Sequence, residues 1–343
     1  MTSTPIDPAQ RRPLATPTGS PHARIVSVGS YRPERVVTND EICEQIDSSD
    51  QWIRERSGII SRRFAAKDET VTDMAEHAAK IAIERAGLTP ADIDAVLVAT
   101  VTHPYQTPSS ASLLAHRLGS APAAALDISA ACAGFCYGLS LASDMVRGGS
   151  ARNVLLVGVE KLSDFTDPTD RSSAFIFGDG AGAVVVGPSQ TPAMGPTIWG
   201  SDGSHWDAII NKTSWIEYRD DDKAEWPALK MAGQSVFRWA VWQMAPVAQK
   251  ALDAAGITAA ELDAFIPHQA NMRIVDAMAK QLEMPEHVPI ARDIAETGNT
   301  SAASIPLAID RMLADGEAPH GGLALLIGFG AGLTYASQVV VLP

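Results

Sequence analysis

A repeat constrains this chain more than any other feature. Residues 82–97 read AIERAGLTPADIDAVL and residues 251–266 read ALDAAGITAAELDAFI, 169 residues apart in a chain of 343. Each gives a helix end, a glycine where the helix C-cap calls for a left-handed residue, a short turn and an apolar strand. A second echo pairs Gly178-Asp-Gly-Ala-Gly182, ahead of the apolar run 183–187, with Gly328-Phe-Gly-Ala-Gly332, ahead of 337–342, at a spacing of 150. Two echoes in the same order predict duplicated α/β halves.

The apolar runs 96–101, 154–159, 183–187, 265–267 and 323–328 predict buried strands, with helical stretches between some of them. Helices and strands in two similar halves imply a layered α/β/α/β/α body. The halves are expected to be 22–190 and 191–343, meeting in the loop 187–196. Residues 1–21, rich in Pro, Thr and Ser, are expected to form a disordered arm. The polar stretch 200–229 carries Trp206, Trp215, Tyr218 and Trp226 with no clear period. It reads as a surface excursion that could shape a substrate entrance.

With 46% hydrophobic residues the chain can bury a large core, and a net charge of −13 gives no general footprint for nucleic acid. An anionic partner would need a local basic patch. Three cysteines (Cys43, Cys132 and Cys136) are not a disulfide framework and fit a reducing, cytoplasmic setting. Arg11-Arg12 hints at an export signal, but the apolar stretch such a signal needs does not follow. No run of 18 apolar residues predicts a membrane span.

Cys132 lies in Asp127-Ile-Ser-Ala-Ala-Cys-Ala-Gly-Phe-Cys-Tyr-Gly-Leu139, small residues before it and helical spacing after. A helix start offers a cysteine two things: a field that favours the thiolate, and free backbone N–H groups that can hold an oxyanion. From local sequence alone, packing is an equally good reading. Cys136, one turn on, reads as packing, and Cys43 has no nearby chemistry. No Cys or His pair has zinc-ligand spacing. His268, in Ile266-Pro-His-Gln-Ala-Asn-Met-Arg-Ile274, follows the repeated strand of the second half. A side chain there faces the crevice where α/β proteins do chemistry, although a lone histidine is usually a core residue. Asn299, in Thr297-Gly-Asn-Thr-Ser-Ala-Ala-Ser304, reads as a turn residue or cap, or as a donor to developing negative charge. Gly178–Ala183 fits G-x-G-x-x-A, but a β-branched run follows where a dinucleotide fingerprint needs a helix.

Taken together, Ala131-Cys132-Ala-Gly-Phe, Pro267-His268-Gln-Ala-Asn271, Gly298-Asn299-Thr-Ser-Ala-Ala-Ser and Gly328-Phe-Gly-Ala-Gly332 resemble β-ketoacyl-acyl carrier protein synthase III of the thiolase superfamily. The similarity runs from about Ala23 to Pro343 and is nearest the actinobacterial forms. The resemblance implies a thiolase-like five-layered α/β/α/β/α fold of two duplicated halves. It also implies a ping-pong condensation. Cys132 takes an acyl group from acyl-CoA, with the N–H groups of Cys132 and Ala331 holding the oxyanion. Malonyl-acyl carrier protein then loses CO₂ against His268 and Asn299, and the carbanion attacks the acyl-cysteine. No cofactor or metal is implied, acyl-CoA being a substrate. Trp52, Arg56 and Arg171 match the adenine and phosphate contacts of CoA. Gly233, Phe237 and Asn271 match its pantetheine tunnel, and Arg238, Arg273 and Lys280 match a carrier-protein patch. Thr107 resembles the residue that closes the partner subunit's acyl pocket, which implies a homodimer. Ala331 stands where many relatives have glycine; it keeps the N–H but demands an ordinary backbone conformation.

Other readings stay open beside this one. Relatives with the same three residues prime polyketide assembly or transfer acyl groups to hydroxyls and amines. Cysteine hydrolases share the order Cys, His, Asn, but the Cys-Gly-x-Cys-Trp signature is missing. A non-catalytic scaffold would have to have lost one of the three. The primer and the pathway are not legible in the motifs.

Overall fold

The computed structural model describes residues 14–343. The first half runs β1 (His22–Tyr31), β2 (Arg35–Thr38), α1 (Asn39–Cys43), α2 (Asp50–Ser57), β3 (Ser61–Phe64), α3 (Val71–Arg85), β4 (Ala95–Ala99), α4 (Ser110–Leu118), β5 (Ala124–Ile128), α5 (Gly134–Gly148), β6 (Val154–Lys161) and β7 (Asp179–Ser189). The second runs β8 (Ile198–Ser201), β9 (Ile209–Asn211), α6 (Trp215–Asp220), β10 (Leu229–Met231), α7 (Gly233–Ala255), β11 (Ala264–Pro267), α8 (Met272–Gln281), α9 (Ile294–Thr297), α10 (Ser304–Ala314), β12 (Leu323–Gly330) and β13 (Thr334–Val341). Residues 1–13 of the expected arm lie outside the described residues. Residues 14–21 carry no helix or strand, and the Ser20 N–H donates to the Val146 carbonyl at 3.1 Å.

The two larger sheets run in the orders β1-β7-β6-β4-β5 and β11-β12-β13-β8, beside two-stranded ribbons of β2 with β3 and β9 with β10. Strand β4 is parallel to β5 and β6, and β11 is parallel to β12. The layering follows from side chains that alternate across each strand. Leu97, Leu156 and Leu326 face a central layer in which α5 and α10 lie between the sheets. Their neighbours Val96, Val98, Leu155 and Val157 face α3 and α4 on one outside, while Leu325 and Ile327 face α7 and α8 on the other. Because both faces are buried, the strands read as continuous apolar runs. The result is five layers, α/β/α/β/α.

The first repeat is structural. Gly87 (φ +67°) and Gly256 (φ +72°) end α3 and α7. The short turns Pro90–Asp92 and Ala259–Glu261 follow, each closed by a capping box, Thr89 with Asp92 and Thr258 with Glu261. They feed β4 and β11. The second echo is not equivalent in space: its first glycine run opens β7, whereas its second closes β12. The first half inserts residues 162–178 between its last two strands, while the second half joins β12 to β13 through three residues.

Candidate active site

The two halves meet at a pair of matching turns. Ala131 (φ +44°) and Ser301 (φ +48°) both hold a left-handed backbone, at a cost of about 1–2 kcal/mol each. Each opens a short 3₁₀ turn that leads into a central helix, α5 or α10. Strand β6 passes directly under the second turn. A Cβ added at Gly158 would lie 2.3 Å from the Ala302 carbonyl oxygen. Cys132 sits in the first turn, one residue past the strained position, as the sequence suggested. The end of β12 packs against it, and a Cβ at Gly330 would lie 2.8 Å from the Cys132 Sγ. The Thr334 hydroxyl lies 3.2 Å from the Ala130 carbonyl and 3.0 Å from that of Ala331, tying the cysteine turn to the end of β12.

A largely apolar cavity of about 250 Å³ opens over these turns. Cys132, His268, Asn299, Ala331, Gly233, Phe237 and Asn271 all line it. Ile209, Ile210, Asn211, Leu229 and Met231, from the excursion between β8 and α7, line it as well. Ala331 has no positive φ, so its alanine is accommodated without strain.

His268 is buried at the end of β11, edge-on to Phe329. Its Nδ1 lies 2.8 Å from the Ser304 Oγ, which also accepts the Gln269 N–H at 3.4 Å. The Ser304 hydroxyl proton is then free to donate to Nδ1, which leaves Nε2–H as the donor facing the cavity. Burial pushes the imidazole down to about 3, so it is neutral. The Asn299 Oδ1 accepts the Ser301 N–H at 2.8 Å, which turns the amide NH₂ outward. The site therefore presents two neutral donors from the second half opposite a sulfur from the first.

The expected low thiol pKa is not what the fold produces: burial pushes Cys132 up to about 12, against the lowering effect of the Ser301 hydroxyl beside it. A helix start contributes at most about 2 kcal/mol to an anion, which is less than desolvation removes. Cys136 is fully buried and is also pushed up to about 12, as a packing residue would be.

The remaining candidates fall into groups. Trp52 has the Arg171 guanidinium 5.3 Å from its ring and that of Arg56 at 5.9 Å, beyond the cavity rim. Asn271 caps α8 and donates to the Arg56 carbonyl at 3.0 Å, linking this cluster to the cavity wall. Arg273 lies over Phe237 at 5.3 Å. Arg238, Arg273 and Lys280 are exposed on α7 and α8, and no salt bridge engages them among the described residues. Thr107 is exposed on the loop between β4 and α4 and does not line its own chain's cavity. Among the described residues no cluster of three or more His, Cys, Asp or Glu could hold a metal ion, and no helix is long and apolar enough to cross a membrane.

Four residues around the site escaped the sequence reading: Ser301, Ser304, Thr334 and Glu160. Ser301 and Ser304 lie inside a quoted motif. The signal for Glu160 was a charged residue closing an apolar strand.

Two family models match, 3-oxoacyl-[acyl-carrier-protein (ACP)] synthase III over residues 126–203 and its C-terminal counterpart over 252–342. Beta-ketoacyl-[acyl-carrier-protein] synthase III of Streptomyces glaucescens is 60% identical, covering 95% of this chain and 98% of that protein. The Kocuria rhizophila protein of the same name is 54% identical, covering 94% and 97%. Among solved structures, the priming beta-ketosynthase from the R1128 polyketide biosynthetic pathway is 49% identical. It superposes with a TM-score of 0.94, covering 96% of this chain and 98% of that one.

Proposed function

Because the chain belongs to the β-ketoacyl-[acyl-carrier-protein] synthase III family, we propose that Cys132, His268 and Asn299 carry out that family's condensation within this one cavity. The enzyme is an acyltransferase that starts fatty acid synthesis by joining an acyl group from acyl-CoA to malonyl-acyl carrier protein. The observation that carries the residue assignment is the meeting of a sulfur from one half with two donors from the other in one cavity.

In the first half-reaction the Cys132 sulfur attacks the primer thioester carbonyl. The N–H groups of Cys132 and Ala331 take the oxyanion, and CoA leaves as thiolate. In the second, His268 Nε2–H and the Asn299 NH₂ hydrogen-bond the malonyl thioester oxygen. They stabilise the enolate left when CO₂ departs, each such donor supplying about 3 kcal/mol. Both donors are neutral and fixed by Ser304 and Ser301, so they need little reorganisation. The carbanion attacks the acyl-cysteine carbonyl, and the Cys132 thiolate leaves.

The other assignments rest on the same reading. Trp52 and Arg171 offer a flat cationic cleft for adenine, with Arg56 near the phosphates. Gly233, Phe237 and Asn271 flank the pantetheine arm. Arg238, Arg273 and Lys280 form the basic patch an acidic carrier protein needs on a chain of net charge −13. A homodimer is supported by the open edge of β5, where Leu126 is exposed, with Leu113 and Tyr105 exposed nearby in sequence. Thr107 would then approach the partner's acyl pocket. Both substrates are cytosolic thioesters, and we assign the enzyme to the cytoplasm on that ground.

A second reading, priming of polyketide assembly, is favoured by the likeness to the R1128 ketosynthase. Incubation with a panel of acyl-CoAs, followed by intact-protein mass spectrometry, tests the reading and identifies the primer. One acyl adduct is expected, absent in Cys132→Ala. An unchanged adduct in that variant would overturn the assignment.

A further inference from the structure

Acylation of Cys132 releases a thiol proton, and neither donor opposite the sulfur can receive it. His268 carries its proton on the cavity side, and its Nδ1 is occupied by Ser304. An amide such as Asn299 is not a base.

Behind the cysteine lies a buried acid with no task so far. Glu160, at the end of β6, is completely buried. It accepts the Val101 N–H at 3.1 Å and the Thr102 hydroxyl at 2.6 Å, with the Thr100 hydroxyl at 3.2 Å. Its Oε1 also accepts the Ser301 hydroxyl at 3.2 Å. Ser301 lies in the cavity wall beside the Cys132 thiol. One hydroxyl therefore stands in the same cavity wall as the nucleophile and donates to a buried carboxylate. No salt bridge reaches Glu160 among the described residues. Its neighbour Lys161 turns away, donating to the Ala66 carbonyl at 2.9 Å, and Asp179 on β7 is occupied by Ser163 and Ala65.

We propose that Glu160 receives the Cys132 proton through the Ser301 hydroxyl during acylation and returns it after condensation. The S–H bond of Cys132 breaks and its proton passes to the Ser301 Oγ, while the proton of Ser301 passes to the Glu160 Oε1. The sulfur electron pair forms the bond to the acyl carbon, and CoA departs as thiolate, taking a proton from water. When the condensation expels the Cys132 thiolate, the relay runs backwards and restores the thiol. Burial pushes Glu160 up to about 7, so it can both take and release a proton near neutrality. Glu160 acts only through Ser301 and is a positioning and relay residue, not a group that touches substrate.

The test is rapid-quench acylation, read by intact mass across about pH 5.5 to 9, on the wild type, Glu160→Gln, Ser301→Ala and Glu160→Asp, with CO₂ release from malonyl-acyl carrier protein measured separately. We expect the wild-type acylation rate to rise through the Glu160 pKa. Glu160→Gln and Ser301→Ala should acylate about 100-fold more slowly and lose that limb while still releasing CO₂. Glu160→Asp should recover the limb. Acylation by both blocking variants at the wild-type rate with the same limb would overturn the relay, as would equal losses in both half-reactions. If Glu160→Gln does not fold, Ser301→Ala decides alone. The proposal rests on Cys132 being the nucleophile. Persistence of the adduct in Cys132→Ala sinks that reading, whereas normal acylation in the relay variants sinks only the relay.

Discussion

The Nδ1 of His268 lies 2.8 Å from the Oγ of Ser304, the residue that opens helix α10. This contact fixes which ring nitrogen carries the proton. Ser304→Ala removes the donor, leaves a buried nitrogen unpaired at a cost of about 1–3 kcal/mol, and frees the ring to take the other tautomer. CO₂ release from malonyl-acyl carrier protein should fall about 10- to 100-fold through kcat, while acylation of Cys132 stays intact. Mass spectrometry of the two half-reactions checks this.

Burial of His268 also makes stability depend on pH. Its folded pKa of about 3 lies below the ordinary 6.5, so the unfolded chain binds more protons between these values. Stability from this group is complete above the unfolded value and is lost as pH falls toward the folded one. Glu160 and Asp179, pushed up to about 7 and about 6, act in the opposite sense as pH falls below those values. Comparing the wild type with His268→Asn isolates the histidine. Denaturant midpoints measured between pH 7 and pH 4 should fall more steeply for the wild type.

Gly330 leaves no room for a methyl group beside the nucleophile. A Cβ there would sit 2.8 Å from both the Cβ and the Sγ of Cys132. Gly330→Ala should cost about 1–3 kcal/mol through overpacking and slow acylation more than 10-fold by displacing the sulfur. Gly148→Ala, at an exposed helix position with open space around it, should be neutral or stabilising by up to about 1 kcal/mol. Thermal melts and acylation rates separate the two.

Charge reversal at Arg238, Arg273 or Lys280 should raise KM for malonyl-acyl carrier protein and weaken its salt dependence. KM for acyl-CoA should stay unchanged at Arg238 and Lys280, whereas reversal at Arg273, which lies over Phe237, should raise both KM values. Titration of each substrate at two ionic strengths is the check.

The sequence made the large-scale plan readable because the repeat falls on rigid punctuation. Gly87 and Gly256 need left-handed backbone, and the capped turns after them feed buried strands. Cys132, His268 and Asn299 each had a bland reading as a core or turn residue when taken alone; only the four motifs together pointed to them, and the fold brings all three to one cavity. The glycine runs misled because the loop 162–178 displaces one half's strand junction relative to the other. The pKa of Cys132 could not be read from its helix-start position, because desolvation depends on β12 and the turn at Ser301 folding over it. Glu160 was hidden for a related reason: its four hydrogen-bonding partners come from two segments that only tertiary packing brings together.

The central claim is that the halves divide the reaction, with the sulfur in one and the enolate donors in the other. Its most direct test is to measure both half-reactions in Cys132→Ala and Asn299→Ala. Cys132→Ala should form no acyl adduct yet still release CO₂ from malonyl-acyl carrier protein. Asn299→Ala should form the adduct yet release CO₂ at least about 100-fold more slowly. Wild-type CO₂ release in Asn299→Ala, or an unchanged adduct in Cys132→Ala, would contradict the account.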